Sequence, residues 1–355
     1  TKPKSRQPFR LPRLVMQSQA QSSSPLSGST VLVTGGTGFT GTHLVRKLVN
    51  RDVEVRGIAR ASSTIDDDLE EPVRWYRGDV YDAGVVERAI DGVDYVLHLA
   101  ACFRDPGADD EEYKKVHVES TRLLAEAALQ QPNLERFIHT STIGVHGHIA
   151  NPPADETAPY NPGDIYQDTK LEGELWIRDF ADREDLPLVV VRPAQIMGPT
   201  DRRLVKLFKF AKYRLCPLLN SHDTRLHFIH VDDLTDCMLL AAHHQNALGE
   251  VFICGNAEST SLVETVTLAG DVLDLKVWFI HLPSRPLFIL ADIVEWVSKK
   301  LNVEPILYRR RMAFFTKDRA FDASKLQDML GFEHSYDNEA GIRDVLRGYR
   351  ERGWL

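Results

Sequence analysis

Apolar positions recur with two periodicities along the chain from Thr30 onward, and these periodicities predict strands and helices in turn. The run Thr30–Thr34 is apolar, and Leu44, Val45 and Leu48 then recur at the spacing of one helix face. Strands and helices that follow one another in this way form parallel sheets covered by helices on both faces. We therefore expect an α/β fold with a doubly wound parallel sheet.

Four later apolar runs, and a third short strand before Gly78, predict the rest of the sheet, with helices such as Thr121–Ala128 between them. After Pro193 the alternation is interrupted by glycine and proline, so a second lobe is predicted to begin near Ile196. The four runs are Val53–Ala59, Val93–Leu99, Arg136–Thr140 and Leu188–Val191.

Composition narrows the class of protein. The chain of 355 residues has 4 widely spaced cysteines without a CxxC pair, which predicts no disulfide framework or zinc site and favours a reducing compartment. Its formal net charge of -8 argues against general affinity for nucleic acid, so a small-molecule substrate is the expected partner. Because no apolar run reaches the ~20 residues that span a bilayer, we expect a soluble protein of the cytoplasm or an organelle interior.

The first 29 residues differ from the rest, since they are basic and serine-rich and no acid occurs before Asp52. Such a stretch cannot bury enough apolar surface to fold alone, which predicts a flexible tail. A targeting remnant and an arm that docks on a larger complex remain open alternatives for this tail. As partners of the whole chain, a homodimer and such a complex both remain open.

A glycine-rich turn follows the first strand: Thr34 is succeeded by Gly35-Gly36-Thr37-Gly38-Phe39-Thr40-Gly41. The turn connects a strand to the start of a helix, where free N–H groups and the helix dipole attract a pyrophosphate. Glycine lets the backbone approach the phosphates closely. The sequence therefore predicts a Rossmann domain with a dinucleotide cofactor held by Gly35, Gly38, Phe39, Thr40 and Gly41.

The end of the second strand bears on which dinucleotide binds. An acid about 20 residues after the glycine turn holds the ribose 2′-OH of NAD, whereas a nearby arginine accommodates the 2′-phosphate of NADP. Here the strand ends at Arg60 with no acid, which predicts NADP as the preferred cofactor and NAD as the alternative. After the third strand, Asp79 and Val80 are predicted to contact the adenine.

Tyr166 and Lys170 are four residues apart and therefore neighbours on one helix face. A free tyrosine titrates near ~10, and a nearby cation lowers the pKa of a phenol by stabilising the phenolate. The pair thus predicts a tyrosine acid/base assisted by a lysine. The histidines at 146 and 148 lack further ligand candidates, so no metal site is predicted.

The chain resembles the extended short-chain dehydrogenase/reductase family, which includes NAD-dependent epimerases/dehydratases and hydroxysteroid dehydrogenases. This resemblance implies that Thr142 orients the substrate oxygen, with Ser141 as the fallback, that Leu99, Ala100 and Ala101 line the cofactor, and that Pro193 and Ile196 edge the nicotinamide. The motifs that carry it are Gly35–Gly41, Arg77-Gly78-Asp79, His98–Ala101, Thr140–Thr142 with Val145–Gly147, Tyr166/Lys170, Arg192-Pro193, Gly198-Pro199 and His230–Asp233.

His117 departs from the family pattern, which usually has an asparagine at the corresponding point of the helix after the fourth strand. Two interpretations remain open at this stage. The imidazole continues a proton relay to bulk water, or it caps and packs.

The resemblance also orders the candidate functions. Residues 220–228 lack the glycines of sugar-nucleotide enzymes, and the segment Arg319–Lys325 with Leu330–Phe332 resembles the hydroxysteroid dehydrogenase and ketone reductase branch. We therefore expect hydride transfer at a CH–OH or C=O group of an apolar or mixed alcohol or ketone. A nucleotide-sugar epimerase/dehydratase and a non-catalytic subunit that holds NADPH are the alternatives.

These expectations give a domain plan. A tail over 1–29 precedes the NAD(P)-binding Rossmann domain over 30–195, which is continued by 226–254. A smaller, discontinuous C-terminal substrate lobe comprises 196–225 and 255–355. Within it, the apolar segment Pro286–Leu301 predicts either a helix over the substrate pocket or shallow membrane contact. Arg309–Arg311 predict a solvated basic patch, with an anion site as the alternative.

Overall fold

The computed structural model describes residues 26–103, 108–220, 222–301 and 315–355. Its strands are β1 (Thr30–Thr34), β2 (Glu54–Ala59), β3 (Val73–Arg77), β4 (Tyr95–His98), β5 (Arg136–Thr140), β6 (Leu188–Pro193), β7 (Gln195–Met197), β8 (Leu215–Leu219), β9 (Arg225–Leu226), β10 (Phe228–His230), β11 (Val251–Cys254), β12 (Thr260–Ser261) and β13 (Trp278–Leu282). Its α-helices are α1 (Phe39–Val49), α2 (Asp67–Glu70), α3 (Ala83–Ile90), α4 (Asp110–Lys114), α5 (Ser120–Leu129), α6 (Ile165–Glu184), α7 (Val205–Lys212), α8 (Val231–His243), α9 (Leu262–Val272), α10 (Ser284–Leu301), α11 (Ser324–Leu330) and α12 (Asn338–Glu351).

Seven parallel strands form the main sheet in the order β3-β2-β1-β4-β5-β6-β11. The chain moves outward from β1 in one direction through β3, then returns to the centre and continues outward from β4. This reversal opens a crevice at the carboxyl ends of β1 and β4, which is where doubly wound folds bind ligands. The predicted fold class is confirmed.

Alternate residues of β1 serve the two faces of the sheet. Val31 and Val33 join one buried cluster with Leu44 and Leu48 of α1. Leu32 belongs to the cluster on the opposite face, which includes residues of α3, α5 and α6. Burial on both faces explains why this strand has an apolar run rather than an alternating pattern.

The fourth strand is shorter than the predicted Val93–Leu99. Val93 closes a turn by donating to the Ile90 carbonyl, and Leu99 leaves the ladder with β5 while donating to the Thr34 carbonyl. Both ends are apolar because they are packed, not because they are paired in the strand. At the other edge, β11 extends the sheet beside β6 with residues of the predicted 226–254 segment.

The second lobe has a core of its own, built from α7, α9 and α12, with Phe208, Phe228 and Tyr349 fully buried. Three two-stranded sheets complete it, in which β7 pairs with β10, β8 with β13 and β9 with β12. Two of these sheets are parallel, whereas β9 and β12 are antiparallel.

Arg309–Arg311 lie outside the described residues, and so does the tail predicted over 1–29 except for its last four residues. These four residues depart from the predicted flexibility. Leu26 is buried, and the Gly28 amide donates to the Asp52 carbonyl at 2.8 Å. The boundary therefore moves toward the N-terminus, because an apolar side chain at position 26 has a place in the core.

Within the described ranges, no helix combines the length and apolarity needed to span a lipid bilayer.

Candidate active site

The glycine turn packs tightly against the neighbouring strand end. Gly35 has a φ of +72°, and a Cβ at this position would lie 2.8 Å from the Ala100 amide nitrogen. At Gly41 a Cβ would lie 2.1 Å from the Gly35 carbonyl oxygen. Only glycine fits these two places, so the turn brings the backbone of Leu99 and Ala100 beside the start of α1.

The N-terminus of α1 is open to an anion. Gly38 occupies the N-cap and contributes no side chain, and the first turn holds no acidic residue. Among the described residues, no side chain accepts from the N-cap turn, and Phe39 and Thr40 are half-buried. A close-fitting glycine cradle with free N–H donors suits a dinucleotide pyrophosphate.

Two arginines lie at the carboxyl ends of β2 and β3, on the β1 side of the crevice. Arg60 is exposed, and the Arg77 guanidinium donates to the carbonyls of Arg60 at 3.3 Å and Ser63 at 2.8 Å. Asp79 and Val80 follow β3 and are half-buried. The predicted adenosine contacts thus share one edge of the sheet, remote from Tyr166 beyond β4 and β5.

Lys170 is buried beneath the crevice. Its ammonium donates to the Thr140 carbonyl at 2.9 Å and to the Ala100 carbonyl at 3.5 Å. Burial lowers the pKa of Lys170 to about 8, an effect opposed by the nearby Glu174 carboxylate. The lysine therefore links α6 to the segment after β4 that the sequence predicts to line the cofactor.

Aromatic rings surround Tyr166. The Phe103 ring meets it edge-on at 5.0 Å between centroids, and the His117 ring does so at 5.3 Å. Tyr166 itself is half-buried. Its phenol is therefore placed at a largely apolar wall at the same end of the sheet as Lys170.

Thr142 and Ser141, the two candidates for orienting the substrate, differ in access. The Ser141 side chain is buried and its hydroxyl has no hydrogen-bond partner in the described part of the chain. Thr142 is half-buried, and its hydroxyl oxygen accepts the Gly144 amide at 3.1 Å. Thr142 is thus the one of the two that a substrate can reach.

The predicted nicotinamide edge lies on β6 and β7. Pro193 is the last residue of β6 and is buried, and Ile196 lies half-buried in the centre of β7. Directly before Pro193, the wholly buried Arg192 pairs with Glu174 of α6 and also donates to the Tyr160 hydroxyl at 2.8 Å. This pair fixes α6, and with it Tyr166, against the sheet.

His117 lies in a π-helical turn, Lys115–Glu119, between α4 and α5. Its Nε2 accepts the Cys102 amide at 3.0 Å, and its Nδ1 is 2.7 Å from the Thr169 hydroxyl, which itself donates to the Ile165 carbonyl. The Nδ1–H tautomer satisfies every one of these bonds. Burial, above all, lowers the pKa of His117 to about 2, and these bonds hold the ring between the segment after β4 and α6.

Arg203 is a candidate site residue that the sequence interpretation missed. Its guanidinium carbon lies 5.3 Å from the centre of the Phe39 ring and 5.4 Å from that of Phe103. The Nε atom also donates to Asp201 at 2.8 Å. A cation from the second lobe therefore lies over Phe39, at the end of the glycine turn, and over Phe103, which contacts Tyr166. Its contacts depend on tertiary folding, and no local sequence pattern signals them.

Comparison with known proteins shows the family to which the chain belongs. The profile of the NAD-dependent epimerase/dehydratase family matches residues 31–255, a span that contains the glycine turn, Tyr166, Lys170 and β11. The chain belongs to this family. It is an enzyme of the extended short-chain dehydrogenase/reductase type, as the sequence predicts, with NAD-dependent oxidoreductase or epimerase activity.

Two proteins similar to this chain have names that describe activity on steroids or sterols. A 3 beta-hydroxysteroid dehydrogenase/Delta 5→4-isomerase of Mycobacterium tuberculosis is 32% identical over 346 residues, which cover 90% of each chain. A decarboxylating sterol-4-alpha-carboxylate 3-dehydrogenase of Candida albicans is 28% identical over 348 residues, covering 89% of this chain and 96% of that one.

A crystal structure of a short-chain dehydrogenase/reductase superfamily protein from Agrobacterium tumefaciens with bound NAD has the same fold. Its TM-score is 0.71 at 20% identity, with 91% of this chain and 98% of that chain covered.

Proposed function

We propose that this family member is an NAD(P)-dependent oxidoreductase of an apolar alcohol or ketone of the hydroxysteroid class, and that it prefers NADP. The proposal rests first on the position of Tyr166, which joins a proton-transfer group to an aromatic wall of Phe103 and His117. The names of the two steroid and sterol relatives support the same substrate class.

The cofactor supplies the hydride chemistry at its nicotinamide ring. The residues that hold it are those of the glycine cradle, the α1 N-terminus and the segment after β4. Lys170 would bond the nicotinamide ribose through its ammonium and would place a positive charge near the phenol.

Tyr166 then exchanges a proton with the substrate oxygen. In alcohol oxidation the phenolate takes the hydroxyl proton, and in ketone reduction the phenol returns it. Thr142 orients that oxygen through its hydroxyl. Pro193 and Ile196 exclude water from the reacting face.

Residues 220–228, which lack the glycines of sugar-nucleotide enzymes, are held by bonds to other parts of the second lobe. The Arg225 guanidinium donates to the Ser259 carbonyl at 3.1 Å and to the Ser259 hydroxyl at 2.8 Å. The backbone amide of Arg225 donates to the Asp318 carboxylate at 2.8 Å. These bonds join β9 to the loop after β11 and to the segment before α11. They support an alcohol or ketone substrate over a nucleotide sugar.

Arg60 supports the cofactor preference because an exposed cation occupies the place of the acid that would repel a 2′-phosphate. Calorimetry with NADPH and NADH tests this point, and we expect NADPH to bind more tightly. Arg60→Asp should reverse the order, whereas tighter NADH binding by the parent would refute the preference.

The decisive test of function is turnover of 3β-hydroxysteroids and related ketones, followed by the absorbance of the reduced nicotinamide. Tyr166→Phe retains the ring, so cofactor binding should persist while turnover falls about 10²-fold or more. Undiminished turnover in Tyr166→Phe would refute the mechanism. Epimerisation of nucleotide sugars without steroid turnover would refute the substrate class.

A further inference from the structure

Three packed elements of the second lobe, β8, β13 and α10, expose apolar side chains. In strand β13, Trp278 and Ile280 lie on the same side, and Trp278 is 61% exposed. In the adjacent strand, Leu215 is the register partner of Trp278 and is also exposed. Exposed side chains of this size next to one another are uncommon on a protein surface without a function.

Helix α10 follows β13 and extends this surface. Its inner side packs through Ala291 against Leu219. At 100° per residue, Ile289, Ile293 and Trp296 lie together on the outer side, where Ile289 is 61% and Trp296 is 59% exposed. We call the whole outward surface the apolar face; it comprises Leu215, Trp278, Ile280, Ile289, Leu290, Ile293, Trp296 and Val297.

Cations border the apolar face. The Lys276 ammonium lies 4.8 Å from the Trp278 ring, and the Lys300 ammonium lies 3.7 Å from the Trp296 ring. Arg285 is exposed in the first turn of α10. Lysine stems that lie along tryptophan rings can keep the charge at a water-facing level while the rings enter an apolar phase. These cations stand out in a chain whose formal net charge is -8.

We propose that the apolar face binds the surface of an anionic lipid bilayer, with α10 lying in the plane of the interface. Apolar side chains flanked by basic ones are the composition of interfacial helices, and tryptophan favours the headgroup level. The apolar side chains enter the acyl boundary, and Lys276, Arg285 and Lys300 contact acidic headgroups.

A second copy of the chain fits this surface less well. A symmetric dimer brings the same patch of both copies together, so the flanking cations of one copy would approach those of the other. A membrane instead offers negative charge beside an apolar layer. The surface also belongs to the lobe predicted to bind substrate. Binding through it would bring the enzyme to the bilayer, where apolar alcohols dissolve.

Co-sedimentation with vesicles tests the proposal on the whole chain. One set of vesicles contains phosphatidylcholine with phosphatidylserine, and a second contains phosphatidylcholine alone. We expect binding to the first set, together with a blue shift of tryptophan emission that Trp296→Phe reduces. Absence of binding to phosphatidylserine vesicles overturns the proposal.

Matched variants separate the apolar and the charged contributions. The double variant Ile293→Asp/Trp296→Asp should abolish binding, whereas the control Leu175→Asp/Leu248→Asp, at exposed apolar positions outside the apolar face, should retain it. Lys276→Gln/Lys300→Gln should weaken binding to phosphatidylserine vesicles by about 30-fold, since each cation near an anionic surface contributes about 1 kcal/mol. Equal loss in the control pair would overturn the assignment of this face.

Light scattering of the parent and of Ile293→Asp/Trp296→Asp tests whether a second copy of the chain, rather than a membrane, covers the apolar face. A dimer that this variant dissociates, without vesicle binding by the parent, would assign the face to self-association and refute the lipid proposal. Because binding is measured without turnover, its result is independent of whether the proposed steroid activity is found.

Discussion

Lys170 carries its charge in a place where charge is costly. Its neighbours His98 and His139 are also buried, and that burial lowers the pKa of both rings, so they remain neutral. Burial likewise lowers the pKa of Lys170, to about 8 from 10.5. The ammonium is therefore present below about pH 8 and is lost as the pH rises through that value.

This shift has a consequence for stability. Between about pH 8 and 10.5 the unfolded chain binds the Lys170 proton and the folded chain does not, so the free energy of unfolding rises with pH in this window. The contribution is about 3 kcal/mol across the window. Lys170→Met should lack it, which urea titrations of both proteins at several pH values would show.

The same variant tests the tyrosine pairing. Without the cation, the phenolate of Tyr166 forms only at higher pH, so alcohol oxidation by Lys170→Met should keep rising after the parent levels off. Cofactor affinity should weaken by roughly 1.5–3 kcal/mol through loss of a charged hydrogen bond. Identical plateaus in the two pH–rate profiles would show that Lys170 does not assist Tyr166.

Arg203 gives a second residue-scale prediction. Its guanidinium lies over Phe39 at the start of α1, so an anion held by the first-turn amides would come within its reach. Arg203→Gln should weaken binding of NADP and of ADP-ribose by about tenfold, the value of one charged hydrogen bond.

Arg202→Gln is the matched control, because the Arg202 guanidinium lies over Trp354, 4.7 Å from the ring centre. Calorimetry should find its cofactor affinity unchanged. Equal affinities of the Arg203 variant and the parent would exclude Arg203 from the cofactor site.

Among the elements, α6 depends on one buried ion pair. Arg192 of β6 and Glu174 of α6 are both inaccessible to solvent, and Arg192 also donates to His146 at 3.0 Å. Glu174→Gln leaves the guanidinium buried without its counter-charge, which should cost about 3–5 kcal/mol in denaturant titrations.

The double variant Arg192→Met/Glu174→Leu removes both charges and should recover much of that loss. A double variant as unstable as Glu174→Gln would show that shape, and not charge, is what the pair contributes.

The elements that the sequence predicts well are those whose signal is local. β1, the glycine turn and α1 are readable because apolar periodicity and glycine spacing reflect backbone geometry directly. β4 was predicted too long, since turn residues such as Val93 can be apolar for packing reasons alone. Two-stranded pieces such as β8 and β13 escape prediction because their pairing joins distant segments.

The same division applies within the site. Tyr166 and Lys170 are visible as an i,i+4 pair, whereas Arg203 meets Phe39 only through the packing of two lobes. His117 shows the reverse limit. Its departure from the family pattern is visible in the sequence, but its bonds to Cys102 and Thr169 are visible only in the structure.

At the scale of the molecule, α12 holds the segment that carries Arg203. The Tyr349 hydroxyl donates to the Asp201 carbonyl, and Gly348 packs against Pro199. A Cβ at Gly348 would lie 2.4 Å from the Pro199 Cβ. Gly348→Ala should therefore lower stability by about 1–3 kcal/mol and weaken cofactor binding at the same time.

Gly84→Ala in α3 is the control, since its Cβ would meet the nearest atoms at 3.5 Å, an ordinary contact. Alanine favours a helix over glycine by up to about 1 kcal/mol, so this variant should gain stability and keep its affinity. Thermal melts and calorimetry of both variants check the pair. A Gly348→Ala protein with unchanged cofactor affinity would show that α12 does not act on the Arg203 segment.

The contact between Tyr349 and Asp201 also sets an order of events during synthesis, because 148 residues separate the two positions. A ribosome completes the seven-stranded sheet with β11, well before it makes α12. Until then the segment carrying Arg203 lacks its contacts with α12. We therefore expect a nascent chain arrested after β11 to bind the cofactor more weakly than a chain that includes α12.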